Sequence, residues 1–287
     1  MYRHLVLSPI AALGAAILMA APAVGDVFTF STGDPDGKIA TLSRPSGPGL
    51  LETETADDFI LTQQTGIDTA SFTGLLPTGA ALSTIKQVEI ELYHVFPKDS
   101  ANPPSGNVPT RVNSPADVEI SSATRDSLAG TLSFSATLLN ASFTAANSVV
   151  NGINKSPNQF TGGEGAVTGE EVRLDVTFTP QIVLSPDHYF FRPEVGLTSG
   201  NFLWLSAPKP IVPPGTPFNP DLQSWTRNSN LNPDWLRIGT DITGQGPFNA
   251  SFSLAGETVP EPSSLLLLGS GIGIAVLAAR RLKAKVL

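Results

Sequence analysis

Four aspartates in the first quarter of the sequence are of the residue type that binds calcium. Asp34 and Asp36 precede Gly37 in an Asp-Pro-Asp-Gly segment, and Asp57 and Asp58 are adjacent further along the chain. The first segment has the opening of a calcium loop, although the third ligand and the distal bidentate glutamate of an EF-hand are missing. Asp57 and Asp58 could complete an oxygen-only shell from another strand, which makes calcium the one cofactor that the sequence suggests. The alternative is a plain turn, with Asp57 at the start of a strand.

Two tryptophans in the last third of the chain are candidates for sugar binding. Trp225 lies in Gln-Ser-Trp-Thr and Trp235 follows Asn-Pro-Asp, whereas Trp204 lies in Phe-Leu-Trp-Leu and is predicted to belong to the core. Flat aromatic rings with Asn and Asp nearby can stack on sugars and hydrogen-bond to their hydroxyls. The alternative is that Trp225 and Trp235 pack in the core or beneath loops.

No residue set in the sequence has the pattern of a catalytic centre. Glu89 and Glu91 are spaced to lie on one side of a strand, opposite its apolar face, and this is typical of a solvated surface. His94 and His188 provide too few ligands for zinc in a chain without cysteine, and no Gly-x-Ser-x-Gly elbow occurs. We therefore expect no catalytic residues and a protein that is not an enzyme.

The charge of the chain argues against nucleic acid as a partner. The chain has 17 basic and 25 acidic residues. The charged residues of the two terminal segments are Arg3, Glu261, Arg280, Arg281, Lys283 and Lys285. Residues 26–258, between these segments, therefore carry 12 basic and 24 acidic residues, a net charge of −12. Such a body is repelled by DNA, RNA and anionic lipid.

The body, residues 26–256, has the hydrophobic period of β-strands. Apolar residues alternate with polar ones in 88–96, 172–178 and 248–254, which is a period of two. Further strand candidates are residues 27–30, 58–62, 67–72, 128–139, 189–195, 202–206 and 235–238. About ten short strands separated by turn-rich gaps predict an all-β ectodomain, an antiparallel β-sandwich or jelly roll.

The N-terminal residues 1–25 have the three parts of an export signal. Arg3 gives a positive start, residues 5–21 are apolar, and small residues follow in Ala21-Pro22-Ala23-Val24-Gly25. We expect a cleavable signal peptide that is recognised by the general secretion machinery.

The C-terminal residues have the order of a membrane anchor. A polar, proline-containing spacer (257–264) precedes an apolar run (265–279) and a basic tail (280–287). As a helix the run would be about 22 Å long, shorter than the roughly 30 Å hydrocarbon core, but its flanking residues can extend it to both interfaces. The basic cluster predicts a single inner-membrane helix with a cytoplasmic C-terminus and the body outside. The alternative is a buried core helix.

This tail resembles the PEP-CTERM sorting signal of Gram-negative bacteria. The resemblance covers about the last 29 residues: Val-Pro-Glu-Pro, a serine pair, a leucine-rich span and an Arg-Arg end, in that order. It implies recognition and processing by exosortase, a membrane-embedded enzyme, and an association with exopolysaccharide. The residues to which it assigns a role in sorting and processing are Val259, Pro260, Glu261, Pro262, Arg280 and Arg281.

Together these patterns predict an exported protein of the cell envelope. The chain would be held transiently in the inner membrane with its body outside, and then delivered to the cell surface or extracellular matrix. Its expected role is structural or adhesive, in association with exopolysaccharide. A carbohydrate-binding module and a secreted hydrolase are the alternatives, and a glycan array would separate the first of these from a structural protein.

Overall fold

The computed structural model describes residues 25–101, 105–126, 129–154 and 160–260. Sixteen strands lie in these residues: β1 Val27–Ser31, β2 Ile39–Leu42, β3 Thr53–Leu61, β4 Thr65–Pro77, β5 Ile85–His94, β6 Ser121–Asp126, β7 Ala129–Gly130, β8 Leu132–Ala145, β9 Asn147–Val149, β10 Val167–Leu184, β11 Asp187–Leu197, β12 Leu203–Ala207, β13 Trp225–Asn228, β14 Leu236–Arg237, β15 Asn249–Ala250 and β16 Phe252–Thr258. Helical structure there is limited to a 3₁₀ turn, Leu82–Thr84, and a π-helical turn, Ile238–Thr243.

The strands form two sheets. In the nine-stranded sheet the order is β1-β16-β4-β12-β2-β9, with β10 and then β8 extending from β4, and with β15 beside β12. In the seven-stranded sheet the order is β14-β13-β3-β11-β5-β6-β7. Every pairing is antiparallel except that of β2 with β9, which is parallel. The all-β, antiparallel prediction is confirmed with this one exception.

The main core lies between the two sheets. Alternate residues of β10 and of β5 are buried there, as their period-two patterns predict. Aromatic rings meet across the layers: Phe191 of the seven-stranded sheet stacks on Phe252 of the other, with centroids 4.9 Å apart, and Trp204 contacts both. Burying each such ring contributes about 1.5–3 kcal/mol, so these contacts hold the two sheets together as a sandwich.

The outer face of the seven-stranded sheet is also covered, and here the expectation of a solvated face is wrong. Glu91 and Tyr93 of β5 are buried at 9% and 1% relative exposure. The chain after β12 folds across this face, where Leu222, Trp225 and Trp235 form a second apolar cluster with Tyr93. The alternating residues of β5 therefore point to two buried faces of the sheet, and not to one buried and one solvent-exposed face.

Residues 25–259 form one compact unit. Residues 1–24 and 261–287 are outside the described residues, and these contain nearly all of the expected signal peptide and the whole apolar span. In the described part of the chain no helix is long and apolar enough to cross a membrane.

Candidate functional site

The end of β16 determines where the predicted sorting segment leaves the sandwich. β16 lies between β1 and β4, and its last residue, Thr258, donates its amide to Asp26 O over 2.8 Å. Val259 continues the ladder by one bond, from its N to Gln64 O at 2.7 Å. Pro260 has no amide hydrogen, so the ladder cannot extend through it. The proline therefore falls where the sheet must end.

Only two of the six predicted sorting residues are described. Val259 and Pro260 have the positions given above. The other four lie outside the described residues: Glu261, Pro262, Arg280 and Arg281.

Asp34 and Asp36 occupy a turn between β1 and β2, apart from the other two predicted calcium ligands. Asp34 is exposed. One oxygen of Asp36, Oδ1, accepts hydrogen bonds from Lys38 N at 3.0 Å and Ser206 Oγ at 2.5 Å, and Oδ2 lies 3.1 Å from Lys38 Nζ. These bonds are those of a structured turn, which is the alternative that the sequence left open.

Asp57 and Asp58 lie on opposite faces of β3, because successive strand residues alternate. Asp57 points between the sheets, where it accepts hydrogen bonds from Ser224 Oγ at 3.0 Å and Ala250 N at 2.9 Å. Asp58 lies on the outer face, 2.6 Å from His188 Nε2. Burial, reinforced by the charge of Asp58, raises the pKa of Asp57 well above its usual range. The structure therefore does not bring the four aspartates together.

Trp225 and Trp235 are buried at 1% and 0% relative exposure, as in the core packing that the sequence left open as the alternative to sugar binding. The Arg227 guanidinium covers the ring of Trp235, with Cζ 4.3 Å from the ring centroid, and Trp235 Nε1 donates to Ala116 O over 3.4 Å. Trp225 borders a surface cavity of about 400 Å³, but it has no free ring face in the cavity. Both rings are buried, so neither is available for stacking on a sugar. Polar neighbours in the sequence are thus no guide to the exposure of these tryptophans in the fold.

A buried group of charges lies on the outer face of the seven-stranded sheet; we call it the acidic cluster. Neighbouring strands place its residues side by side, since Arg192 of β11 is opposite Glu91 of β5 and Arg227 of β13 is opposite Glu54 of β3. Its six members are Glu52, Glu54, Glu91, Arg192, Glu194 and Arg227.

Arg192 is the centre of the acidic cluster. Its Nη2 lies 2.6 Å from Glu54 Oε1 and 2.8 Å from Glu91 Oε2, and its Nη1 lies 2.9 Å from Glu194 Oε2. Arg227 makes a second ion pair with Glu54. The guanidinium groups are thus shared among more carboxylates than they can neutralise.

The carboxyl groups of the acidic cluster differ in the direction of their pKa shifts. Burial raises the pKa of Glu91 to about 7 and that of Glu194 well above its usual range. For Glu54, burial opposes ionisation, but Arg192 and Arg227 outweigh it and hold the pKa below its ordinary value. An ion pair of Glu54 with two arginines therefore stands beside carboxyl groups that remain incompletely compensated.

Comparison with known proteins identifies the tail. Residues 258–282 match the family model of the PEP-CTERM protein-sorting motif. The chain carries a PEP-CTERM sorting motif. The match starts at Thr258, so the motif begins where β16 ends. No curated protein and no solved structure matches the chain.

The PEP-CTERM motif supports export of the chain and exosortase-dependent sorting. It includes the described Val259 and Pro260 as well as Glu261, Pro262, Arg280 and Arg281. The resemblance inferred from the sequence is thereby confirmed. It concerns the tail, and it assigns no chemistry to the sandwich.

Sequence reasoning missed the acidic cluster. The period-two pattern of β5 predicts solvent exposure for Glu89 and Glu91. Glu52, Glu54 and Glu194 are not among the predicted site residues. One signal was present, because Arg192 and Glu194 interrupt a strand that is otherwise strongly apolar, Tyr-Phe-Phe-Arg-Pro-Glu-Val. Charged residues in such a strand indicate a buried ion pair more often than a solvated edge.

Proposed function

We propose that this chain is an exported β-sandwich protein that its PEP-CTERM tail holds in the inner membrane until exosortase processes it. The observation that carries the proposal is the match of residues 258–282 to the sorting motif, directly after the last strand. The signal-peptide pattern of residues 1–25 supports export, and the apolar run 265–279 with its basic end supports transient anchoring.

The position of the two ends of the sandwich is consistent with this route. Val27 of β1 is paired with Glu257 of β16, so the chain enters and leaves the body at neighbouring points of one sheet. A body with this geometry can be exported behind its signal peptide and then tethered by its tail at the same end. No rearrangement of the sandwich is required for processing.

After processing, the body is delivered to the cell surface or extracellular matrix, where it has a structural or adhesive role together with exopolysaccharide and no enzymatic activity. Its net charge of −12 supports a soluble extracellular body that stays off anionic membranes. The general secretion machinery and exosortase are its expected partners in transit.

A matched pair of glutamates tests the sorting proposal. Glu261→Ala removes the acidic residue between the two prolines of the motif, and Glu257→Ala removes an exposed glutamate four positions earlier, in β16. We expect Glu261→Ala to accumulate in the membrane fraction with its tail uncleaved, and Glu257→Ala to be released as the wild type is. Equal release of both variants would contradict the proposal.

A further inference from the structure

Two cations of the sandwich are exceptions to its charge pairing. Arg44 and Lys86 have no carboxylate partner among the described residues. The Arg44 guanidinium donates to two neutral oxygens, Leu51 O at 3.3 Å and Asn201 Oδ1. Burial lowers the pKa of Arg44, as expected for a cation without a counter-charge. Basic side chains that do pair with a carboxylate are Lys38, Lys98, Arg111, Arg173, Arg192, Lys209, Arg227 and Arg237.

Arg44 lies between two cavities, and no carboxylate lines either of them. The first, which we call the cation cavity, has a volume of about 280 Å³ and is lined by Arg44 and Lys86. The second, the amide cavity, has a volume of about 440 Å³ and is lined by Arg44 with three asparagines, Asn151, Asn201 and Asn228. In a body with twice as many acidic as basic residues, these two walls are a local reversal of charge.

The carboxylates nearest to these walls along the chain are already engaged. Glu89 accepts a hydrogen bond from Gln87 over 3.4 Å, and Glu52 lies 3.6 Å from the Arg192 guanidinium. Glu164 accepts from the backbone amide of Asn151 over 2.7 Å. The cationic groups of Arg44 and Lys86 are therefore left to attract an anion from outside the chain.

The backbone holds Arg44 in place before a ligand arrives. Arg44 and Thr53 exchange backbone hydrogen bonds of 2.9 and 3.0 Å, and Gly47 and Leu50 close the tip of the same hairpin with bonds of 3.1 and 2.9 Å. A donor that is fixed in this way loses less conformational entropy when it binds.

The cation cavity lies far from the sorting motif. β4 starts at Thr65, opposite Thr258 at the end of β16, and ends at Pro77. Gly200 lines the cavity, and a Cβ atom on it would lie 2.5 Å from Pro77. At about 3.3 Å per residue, the two ends of β4 are roughly 40 Å apart. A ligand in this cavity therefore leaves the segment before the motif uncovered.

An anion that also carries hydroxyl groups matches both cavities. Guanidinium and ammonium groups form charge-assisted hydrogen bonds to a carboxylate, and asparagine amides can donate to and accept from hydroxyls. Leu50 and Leu51, 47% and 46% exposed, line the amide cavity and offer apolar surface to the C–H groups of a sugar ring. A neutral sugar leaves the cations without a counter-charge, and phosphate alone leaves the amides unused.

We propose that the cation and amide cavities together bind a uronate-containing polysaccharide. A uronate carboxylate lies on Arg44 and Lys86, and hydroxyls of the same or the next sugar contact the three asparagines. This inference rests on the proposed association with exopolysaccharide, to which it adds a ligand class and a site.

Calorimetry with the full-length protein at neutral pH and ~50 mM salt tests the site. Tetragalacturonate and tetramannuronate are the probes, and methyl-esterified tetragalacturonate is the same chain without charge. We expect at least one uronate to bind, about tenfold more tightly than the ester, and to bind more weakly at ~0.5 M salt. Arg44→Gln should lower the affinity about tenfold or more, and Lys86→Gln up to about fivefold. Arg173→Gln, which removes an exposed arginine of β10, should bind as the wild type does.

Four results would overturn the proposal: binding of neither uronate, equal binding of the ester, undiminished binding by both cavity variants, or equally tight binding of inorganic phosphate, which would show a site for the anion alone. If Arg44→Gln does not fold, Lys86→Gln decides, because the Lys86 side chain is exposed and has no partner to lose. Tail processing is measured separately in cells. Normal processing without uronate binding would refute this site and leave the sorting proposal intact.

Discussion

At the scale of single residues, Asp57 shows how burial makes a carboxyl group sensitive to pH. It is enclosed between the sheets, and its oxygens accept hydrogen bonds from Ser224 and Ala250. Burial, followed by the charge of Asp58, raises its pKa, while Lys209 acts in the opposite direction. The folded state therefore binds this proton more tightly than the unfolded chain does. The contribution to stability is largest at low pH and is lost as pH rises from the ordinary Asp value through the raised pKa.

Replacing Asp57 by Asn should therefore stabilise the protein at neutral pH. The amide can donate to Ser224 Oγ through Nδ2 and accept from Ala250 N through Oδ1, with no charge to bury. We expect the free energy of unfolding of Asp57→Asn to exceed that of the wild type by about 1 kcal/mol or more above pH 6, and to depend less on pH. Urea denaturation between pH 4 and 8 measures both quantities. Asp57→Ala loses both hydrogen bonds and should be less stable throughout, and an Asn variant that resembles it would contradict this account.

Trp235 is a core residue, and its truncation should show that. The indole is fully buried between Tyr93 and Arg227. Trp235→Ala should lower the free energy of unfolding by about 3–5 kcal/mol. Phe160, which is 64% exposed, is the aromatic control, and Phe160→Ala should change the free energy of unfolding by less than about 0.5 kcal/mol. Similar values for the two variants in urea denaturation would mean that Trp235 is not packed as the structure places it.

At the scale of elements, β16 joins the sandwich to the sorting motif, and Gly256 lets it pair closely with β4. A Cβ atom on Gly256 would lie 1.9 Å from the carbonyl oxygen of Gly66, which is backbone and cannot move aside cheaply. Gly256→Ala should therefore cost about 1–3 kcal/mol of stability and open the last strand. Ala255→Ser, at the preceding half-buried position, is the control. Hydrogen exchange of the β16 amides should rise in Gly256→Ala alone, and unchanged protection would contradict the close pairing.

For individual elements, the sequence predicts the strands that have a local hydrophobic pattern. It misses the strands that form only because a distant segment of the chain pairs with them. The period of two locates β5, β10 and β16, because alternation reports which side of a strand meets the main core. The short strands β2, β9 and β13 lie outside the predicted strands, because pairing with partners elsewhere in the chain defines them.

The same distinction explains the sites. Asp34 and Asp36 looked like ligands because they are close in sequence, yet the fold uses Asp36 to hold a turn. Glu54 and Glu194 are far apart in sequence and meet only because β3 is paired with β11. Trp225 is buried because it packs in one cluster with Tyr93 and Trp235, residues far from one another along the chain. Strand pairing and the covering of a sheet face depend on the tertiary fold, and composition and residue spacing do not predict them.

At the scale of the whole molecule, the tail could be recognised from sequence because its signal is a linear order of residue types, which needs no tertiary structure to be detected. Pro260 has no amide hydrogen to donate, so the amide ladder of β16 ends at Val259. The sandwich supplies a stable body whose two ends lie side by side.

Exosortase-dependent processing of the tail can be tested by intact mass spectrometry of the protein from native cells, with exosortase present and deleted. We expect a species that lacks the signal peptide and the segment after the Pro-Glu-Pro motif when exosortase is present, and one that ends at Leu287 when the enzyme is deleted. The sandwich should be intact in both. A chain that ends at Leu287 in both strains would contradict exosortase processing.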